Sequence, residues 1–289
     1  MKPSVDNPEA EAGSATVVSV RTTIKRGIRT IQERSRRAFR MATANLRPLP
    51  NVIVVGAMKC GTTTLFRELA RSSSVRAPIL KEVHFFDKSF ERGDRYYRSW
   101  FRMNGGHVVM DCTPSYMFYP SIARKIYEWI PEAKIVAILR DPAERAWSHY
   151  VHNVARGRVP EGEAEFAACI ENDIAAWSTR GFPSTRNPHD HYSSYARRGI
   201  YADQLEPYLD LFGENVFVMK VEAFYRDPQP ELNRLAKFLG IVAPTASRRA
   251  RNVGKSISWK GNLAELREFY GPHNERLYKL LGVAPWWPY

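Results

Sequence analysis

Gly56 and Gly61 bracket the tetrapeptide Ala57-Met58-Lys59-Cys60 and lead directly into Thr62-Thr63-Thr64. A glycine at each bend lets backbone N–H groups close around an anion, and a helix starting at Thr62 adds the partial positive charge of its N-terminus. The three threonines supply hydroxyl donors in the first turn. A triphosphate-binding loop of this spacing puts lysine directly after the second glycine and a Ser/Thr next, to hold Mg²⁺. Here Thr62 takes the lysine's place and the lysine lies inside the loop, as Lys59. The loop can neutralise a terminal anion without a lysine–metal pair, so no metal ligand is expected. Farther on, Arg140 offers a planar fork for a phosphate group and Ser148 a hydroxyl; the competing use of Arg140 is an ion pair with Asp141 or Glu144. Between them, Lys81-Glu82-Val83-His84-Phe85-Phe86-Asp87 sets a carboxylate and an imidazole two positions apart, on one face of an extended chain. Either can act as a general base. The apolar neighbours Val83, Phe85 and Phe86 predict a desolvated carboxyl with a raised pKa.

These residues need a rigid frame. Residues 51–56 read as a short buried strand, apolar and β-branched, and 107–111, 134–140 and 216–220 read the same way. Helical patterns occupy 62–71, 121–130, 163–177, 202–212 and 230–239, and another helix opens at Asp141-Pro142-Ala143-Glu144. There Asp141 can cap and Pro142 suits the first turn. Strands alternating with helices predict an α/β, three-layer fold with a central, mostly parallel sheet and helices on both faces. Ligands then bind beyond the carboxyl ends of the strands, where both the 56–64 loop and Arg140 fall. The polar, proline-containing stretch 181–191 is expected to be a mobile element on the acceptor side.

The net charge of +13 is uneven. Nine basic residues and one acid between Arg21 and Arg47 give that segment +8, whereas residues 1–20 are acidic. We therefore expect residues 1–47 to be a disordered tail plus a basic amphipathic segment, and 48–289 to be a single domain. Ile24, Ile28, Ile31 and Ala38 recur at helical spacing in the basic segment, which suits either a solvated surface helix or peripheral contact with anionic lipid through residues 21–47. No apolar run is long enough to span a bilayer, and the N-terminus lacks the apolar stretch of a secretory signal. Cys60, Cys112 and Cys169 show neither a disulfide framework nor metal-ligand spacing. A cytoplasmic protein, free or peripheral at the inner membrane surface, is the expectation, with no nucleic-acid partner.

The loop Gly56–Thr64, the segment Leu139-Arg140-Asp141-Pro142-Ala143-Glu144-Arg145-Ala146-Trp147-Ser148 and the stretch from Lys81 to Asp87 together resemble the superfamily of sulfotransferases that use 3′-phosphoadenosine 5′-phosphosulfate (PAPS). In their motifs they are most similar to the heparan sulfate glucosaminyl 3-O-sulfotransferase branch and its bacterial relatives. The resemblance implies a P-loop-type fold and transfer of a sulfuryl group to a hydroxyl or amine. The migrating group carries less charge than a phosphoryl group, so a lysine and amide donors suffice. The resemblance also implies that Lys59, Cys60, Gly61, Thr62, Thr63 and Thr64 hold the 5′-phosphosulfate and that Arg140 and Ser148 hold the 3′-phosphate. Glu82 is then the base, with His84 as its rival, and Lys59 stabilises charge on the bridging oxygen. Lys255, Lys260 and Gly261 are candidates for a late loop closing on the nucleotide, and Tyr201 for its pocket, although a core position suits Tyr201 equally. The acceptor is expected to be a carbohydrate, glycolipid or small molecule. One departure weakens a heparan-like acceptor: the branch has a lysine before its Thr-Pro pair, whereas this chain has Cys112 before Thr113-Pro114. A P-loop kinase of small metabolites and a non-catalytic polyanion-binding module are the alternatives.

Overall fold

The structure, a computed structural model, describes residues 33, 35–103, 106–247 and 263–287. Five parallel strands form its sheet: β1 (Val52–Gly56), β2 (Val75–Arg76), β3 (Val108–Cys112), β4 (Lys134–Leu139) and β5 (Val216–Lys220), in the order β2-β3-β1-β4-β5. Every residue of β1 and β3 is buried, so the alternating side chains of both faces are covered. This accounts for the unbroken apolar runs in the sequence. The two-residue strand β2 is too short to leave a periodic signal and was not among the expected strands.

The helices are α1 (Thr62–Leu69), α2 (Gly93–Arg98), α3 (Ser121–Trp129), α4 (Pro142–Val154), α5 (Glu163–Arg180), α6 (Pro188–Ser193), α7 (Tyr201–Phe212), α8 (Val221–Arg226), α9 (Pro228–Leu239) and α10 (Ala264–Leu281). Asp141 caps α4 as expected: its carboxylate accepts from the N–H groups of Ala143 at 2.9 Å and Glu144 at 3.1 Å, with Pro142 in the first turn. The main core surrounds the sheet. A second apolar cluster, built on Trp147, Tyr150, Phe166, Tyr195 and Tyr270, joins α4, α5 and α10. Among the described residues no helix is long and apolar enough to cross a membrane.

β1 lies between β3 and β4, and its register pairs Val54 with both Cys112 and Val136. The turns leaving β1, β3 and β4 therefore emerge side by side at the carboxyl edge of the sheet. Residues 35–42 are helical and continue through the turn Ala44–Leu46 onto α2. Arg95 donates to the Met41 carbonyl at 3.2 Å, and Arg98 to that of Arg47 at 2.7 Å.

Candidate active site

The turn after β1 is built as its glycines require. Gly61 has φ +88°, and a Cβ there would lie 2.6 Å from the Tyr225 hydroxyl and 2.9 Å from Val221. Gly56 packs so tightly that a Cβ would meet that of Met117 at 2.7 Å. Lys59 is held at φ +72°, a left-handed conformation unusual for a side-chain-bearing residue. Thr62 and Thr64 are buried and Thr63 is exposed. Among the described residues no carboxylate pairs with Lys59. Burial, followed by the charges of Arg140, Arg145 and Arg156, pulls its ammonium pKa down to about 8. The lysine is thus half-buried in a positive field that no carboxylate pairs with among the described residues.

Arg140 follows β4, beside this turn. It does make the expected ion pair with Glu144, at 3.4 Å, but Glu144 is shared with Arg267 at 3.3 Å. Ser148 is half-buried on α4. Tyr201 proves to be a core residue, 1% exposed, that ties the two segments together. Its hydroxyl donates to the Arg140 carbonyl at 2.9 Å and lies 3.6 Å from the Cys60 sulfur. Cys60 is buried, and burial pushes its thiol up to about 11. Its contribution to the turn is therefore its backbone and not a thiolate. Lys255, Lys260 and Gly261 lie outside the described residues.

The third group does not take the extended form expected. Glu82 and His84 both have positive φ, +64° and +53°, and a π-helical turn, Phe85–Ser89, follows. The reason is a set of buried tethers. The Glu82 N–H donates to the Cys112 carbonyl at 3.2 Å, and the Phe85 N–H to the Tyr116 hydroxyl at 2.8 Å. Tyr116 and Tyr97 in turn donate to the Asp111 carboxylate at 3.0 and 2.9 Å, and Thr113 to its other oxygen at 2.7 Å. Phe85 and Phe86 enter the core. Anchored in this way to the end of β3, the segment still brings Glu82 and His84 together, with Nε2 3.5 Å from the carboxylate.

The electrostatics differ from expectation as well. Burial works to raise the Glu82 pKa, but the His84 hydrogen bond and the Lys81 ammonium at 2.7 Å outweigh it and hold the carboxyl at about 2. With its side chain 42% exposed, Glu82 is less desolvated than its apolar neighbours suggested. Burial opposes protonation of His84, but Asp87 and Glu82 prevail and raise its pKa. The Asp87 side chain is fully buried and lies 2.9 Å from His84 Nδ1. Burial pushes its pKa up, but His84, Ser115 and Arg186 hold it at about 2.

Several contributors carried no sequence signal. Arg186, from the stretch expected to be mobile, donates to Asp87 at 2.7 Å and ties that stretch to the site. Arg145 on α4 is 0% exposed; it donates to the Tyr195 carbonyl, while its Nε and Nη1 have no hydrogen-bond partner among the described residues. Its charge acts on Lys59, Cys60 and Tyr201. His152 is driven down to about 4 by burial and by Lys59, Arg156 and Arg158, whereas the Glu82 charge works the other way. His152 thus feels both the loop lysine and the carboxylate.

A glycine-bounded turn holding Lys59 and the end of β4 holding Arg140 lie on neighbouring strands, and the ionised Glu82 is anchored to the end of β3; the frame is that of a P-loop-type transferase with no lysine after its second glycine. The family described as Sulfotransferase domain matches residues 49–260, and the chain belongs to it. It is 29% identical over 280 residues to heparan sulfate glucosamine 3-O-sulfotransferase 6 of Homo sapiens, covering 83% of this chain and 74% of that protein. Against heparan sulfate glucosamine 3-O-sulfotransferase 3B1 of Mus musculus the identity is 29% over 269 residues, with 83% and 65% covered. The crystal structure of a sulfotransferase from Alicyclobacillus acidocaldarius aligns with a TM-score of 0.68 and 29% identity, over 82% of this chain and 97% of that one.

Proposed function

We propose that this sulfotransferase uses PAPS as donor and a carbohydrate hydroxyl or amine as acceptor. Lys59 and the first turn of α1 would hold the 5′-phosphosulfate, Arg140 and Ser148 the 3′-phosphate, and Glu82 would act as base. The observation that carries the reading is the pairing of Lys59, which has no acid partner among the described residues, with Arg140 on the adjacent strand end, joined through Cys60 and Tyr201. Two anionic groups of one nucleotide match two cations so arranged. Arg145, whose Nε and Nη1 have no hydrogen-bond partner among the described residues, adds buried positive charge.

The donor supplies a sulfuryl group whose bond to a phosphate oxygen breaks as the acceptor's bond to sulfur forms. Lys59 favours the charge left on that oxygen. The acceptor's hydrogen turns strongly acidic as its oxygen or nitrogen attacks, so a carboxylate with a pKa near 2 still takes it. His84, whose pKa Asp87 and Glu82 raise, suits a role that orients Glu82 better than the role of base. Lys81, Arg156, Arg158 and Arg186 surround Glu82, His84 and His152 and favour an acidic acceptor. The sulfated glucosamine polymers implied by the relatives' names supply one. At the other end of the chain, Phe39 and Leu46 are exposed beside arginines, a composition that supports peripheral lipid contact for the basic segment.

The test is incubation with PAPS and a panel of neutral and acidic oligosaccharides, with mass spectrometry for an added sulfate. Glu82→Gln should lose transfer by at least about a hundredfold while binding adenosine 3′,5′-bisphosphate as the parent does. Full turnover in Glu82→Gln would pass the role of base to His84. Transfer from ATP–Mg²⁺, with none from PAPS, would replace the whole reading with a kinase.

A further inference from the structure

A groove of about 800 Å³ opens beside the turn Ala44–Leu46, lined by Arg47, Arg71, Arg76 and Arg102 together with Ser72 and Met103, and by no acid. It lies between the end of α1, strand β2 and the segment after α2, away from the turns that carry Lys59 and Arg140. Arg47 is 6% exposed. Its Nη1 donates to the Phe101 carbonyl at 2.6 Å and its Nη2 to the Thr43 hydroxyl at 3.0 Å, but its Nε has no partner among the described residues. The other arginines are scarcely neutralised. Arg76 donates to the Ser73 carbonyl at 2.6 Å. Arg71 has Glu68 at 4.0 Å, and that carboxylate already accepts from the N–H and hydroxyl of Ser247. A buried guanidinium that meets no carboxylate is costly until an anion joins it. Met103, in the groove wall, is 40% exposed; Leu46, next in the chain to Arg47, is 64% exposed, and Phe39, on the helical segment that leads into the same turn, 60%.

We propose that this four-arginine groove, with Phe39, Leu46 and Met103 beside it, docks the chain on the anionic phospholipid headgroups of a membrane. The proposal extends the reading of the basic segment given above and is independent of the transfer chemistry. Guanidinium forks match lipid phosphate oxygens, while the exposed apolar side chains of the groove wall and of the segment that enters it suit the headgroup–acyl boundary. A soluble polyanion would engage the arginines and leave the exposed apolar side chains without a use, and this favours the lipid surface.

The full chain should co-sediment with phosphatidylcholine vesicles containing phosphatidylglycerol but not with phosphatidylcholine alone, and added salt should weaken the binding. Combining Arg71→Glu, Arg76→Glu and Arg102→Glu should reduce partitioning by at least about tenfold, with the thermal midpoint unchanged. Combining Phe39→Ala and Leu46→Ala, which leaves every charge in place, should weaken it several-fold. Arg234→Glu, a reversal on the exposed side of α9, should leave it unaltered. Parental sedimentation of the triple variant would overturn the proposal. So would full vesicle binding by the apolar variant combined with displacement from vesicles by heparin, which would make the groove a site for soluble polyanions.

Discussion

In the proposed mechanism Asp87 is the residue that determines how Glu82 and His84 divide their work. With its side chain fully buried and bonded by His84, Ser115 and Arg186, it raises the His84 pKa, and its own falls from an ordinary 3.8 to about 2. If His84 were the base, turnover would rise as pH climbs through that raised pKa, and Asp87→Asn would move the limb to lower pH. With Glu82 as base no such limb exists, because Glu82 is ionised throughout. Asp87→Asn should then lower kcat by loosening His84 without shifting any acid limb, as a pH–rate series on parent and variant would reveal. The same depressed pKa has a consequence for stability. Asp87 contributes about 2 kcal/mol that is fully present above pH 3.8 and lost as pH falls toward 2. Asp87→Asn should flatten that part of an acid-unfolding profile.

Among the elements, β1 with its turn and β4 with α4 were legible because their rules are local. Apolar β-branched runs mark strands buried on both faces, and Asp141-Pro142 marks a helix start. The segment 82–87 was legible in composition only. Its left-handed residues and π-helical turn arise from Asp111, Tyr97 and Tyr116, which are remote in sequence and meet it only after folding. A low Glu82 pKa was hidden for a related reason: the decisive neighbours, His84 and Lys81, depend on that non-extended geometry. Arg145 and Arg186 carried no periodic signal, since a buried arginine on a helix and an arginine in a polar loop both read as surface. At this scale two substitutions are informative. Gly61→Ala places a Cβ at φ +88° against Tyr225, which should cost at least about 1 kcal/mol in the turn and weaken bisphosphate binding with it. Tyr201→Phe removes the bond to the Arg140 carbonyl and should lower stability by about 1 kcal/mol. Chemical denaturation, with calorimetric titration of the nucleotide, measures both.

For the molecule as a whole, the net charge of +13 matters less than where its uncancelled part is buried. Arg145 and Arg198 are 0% and 2% exposed, and Lys59 stands near both Arg140 and Arg145. Arg198 stacks on Phe118 at 3.9 Å, and burial pulls its pKa down to about 10. Holding such cations together, with Glu144 on Arg140 as the near acid, destabilises the free protein, and the proposed anionic nucleotide would offset that cost. Binding selects the folded state, so adenosine 3′,5′-bisphosphate at a hundred times its Kd should stabilise the chain by about 2.7 kcal/mol. ATP–Mg²⁺, which lacks a 3′-phosphate for Arg140, should give a smaller shift. Replacing the buried charge separates its cost from its use. Arg145→Met retains most of the side-chain volume, so the free protein should melt no earlier than the parent, while the rise in Tm on adding the bisphosphate shrinks. A variant that melts earlier but keeps the full ligand shift would instead make Arg145 a structural support for the Tyr195 carbonyl, with no part in holding the donor.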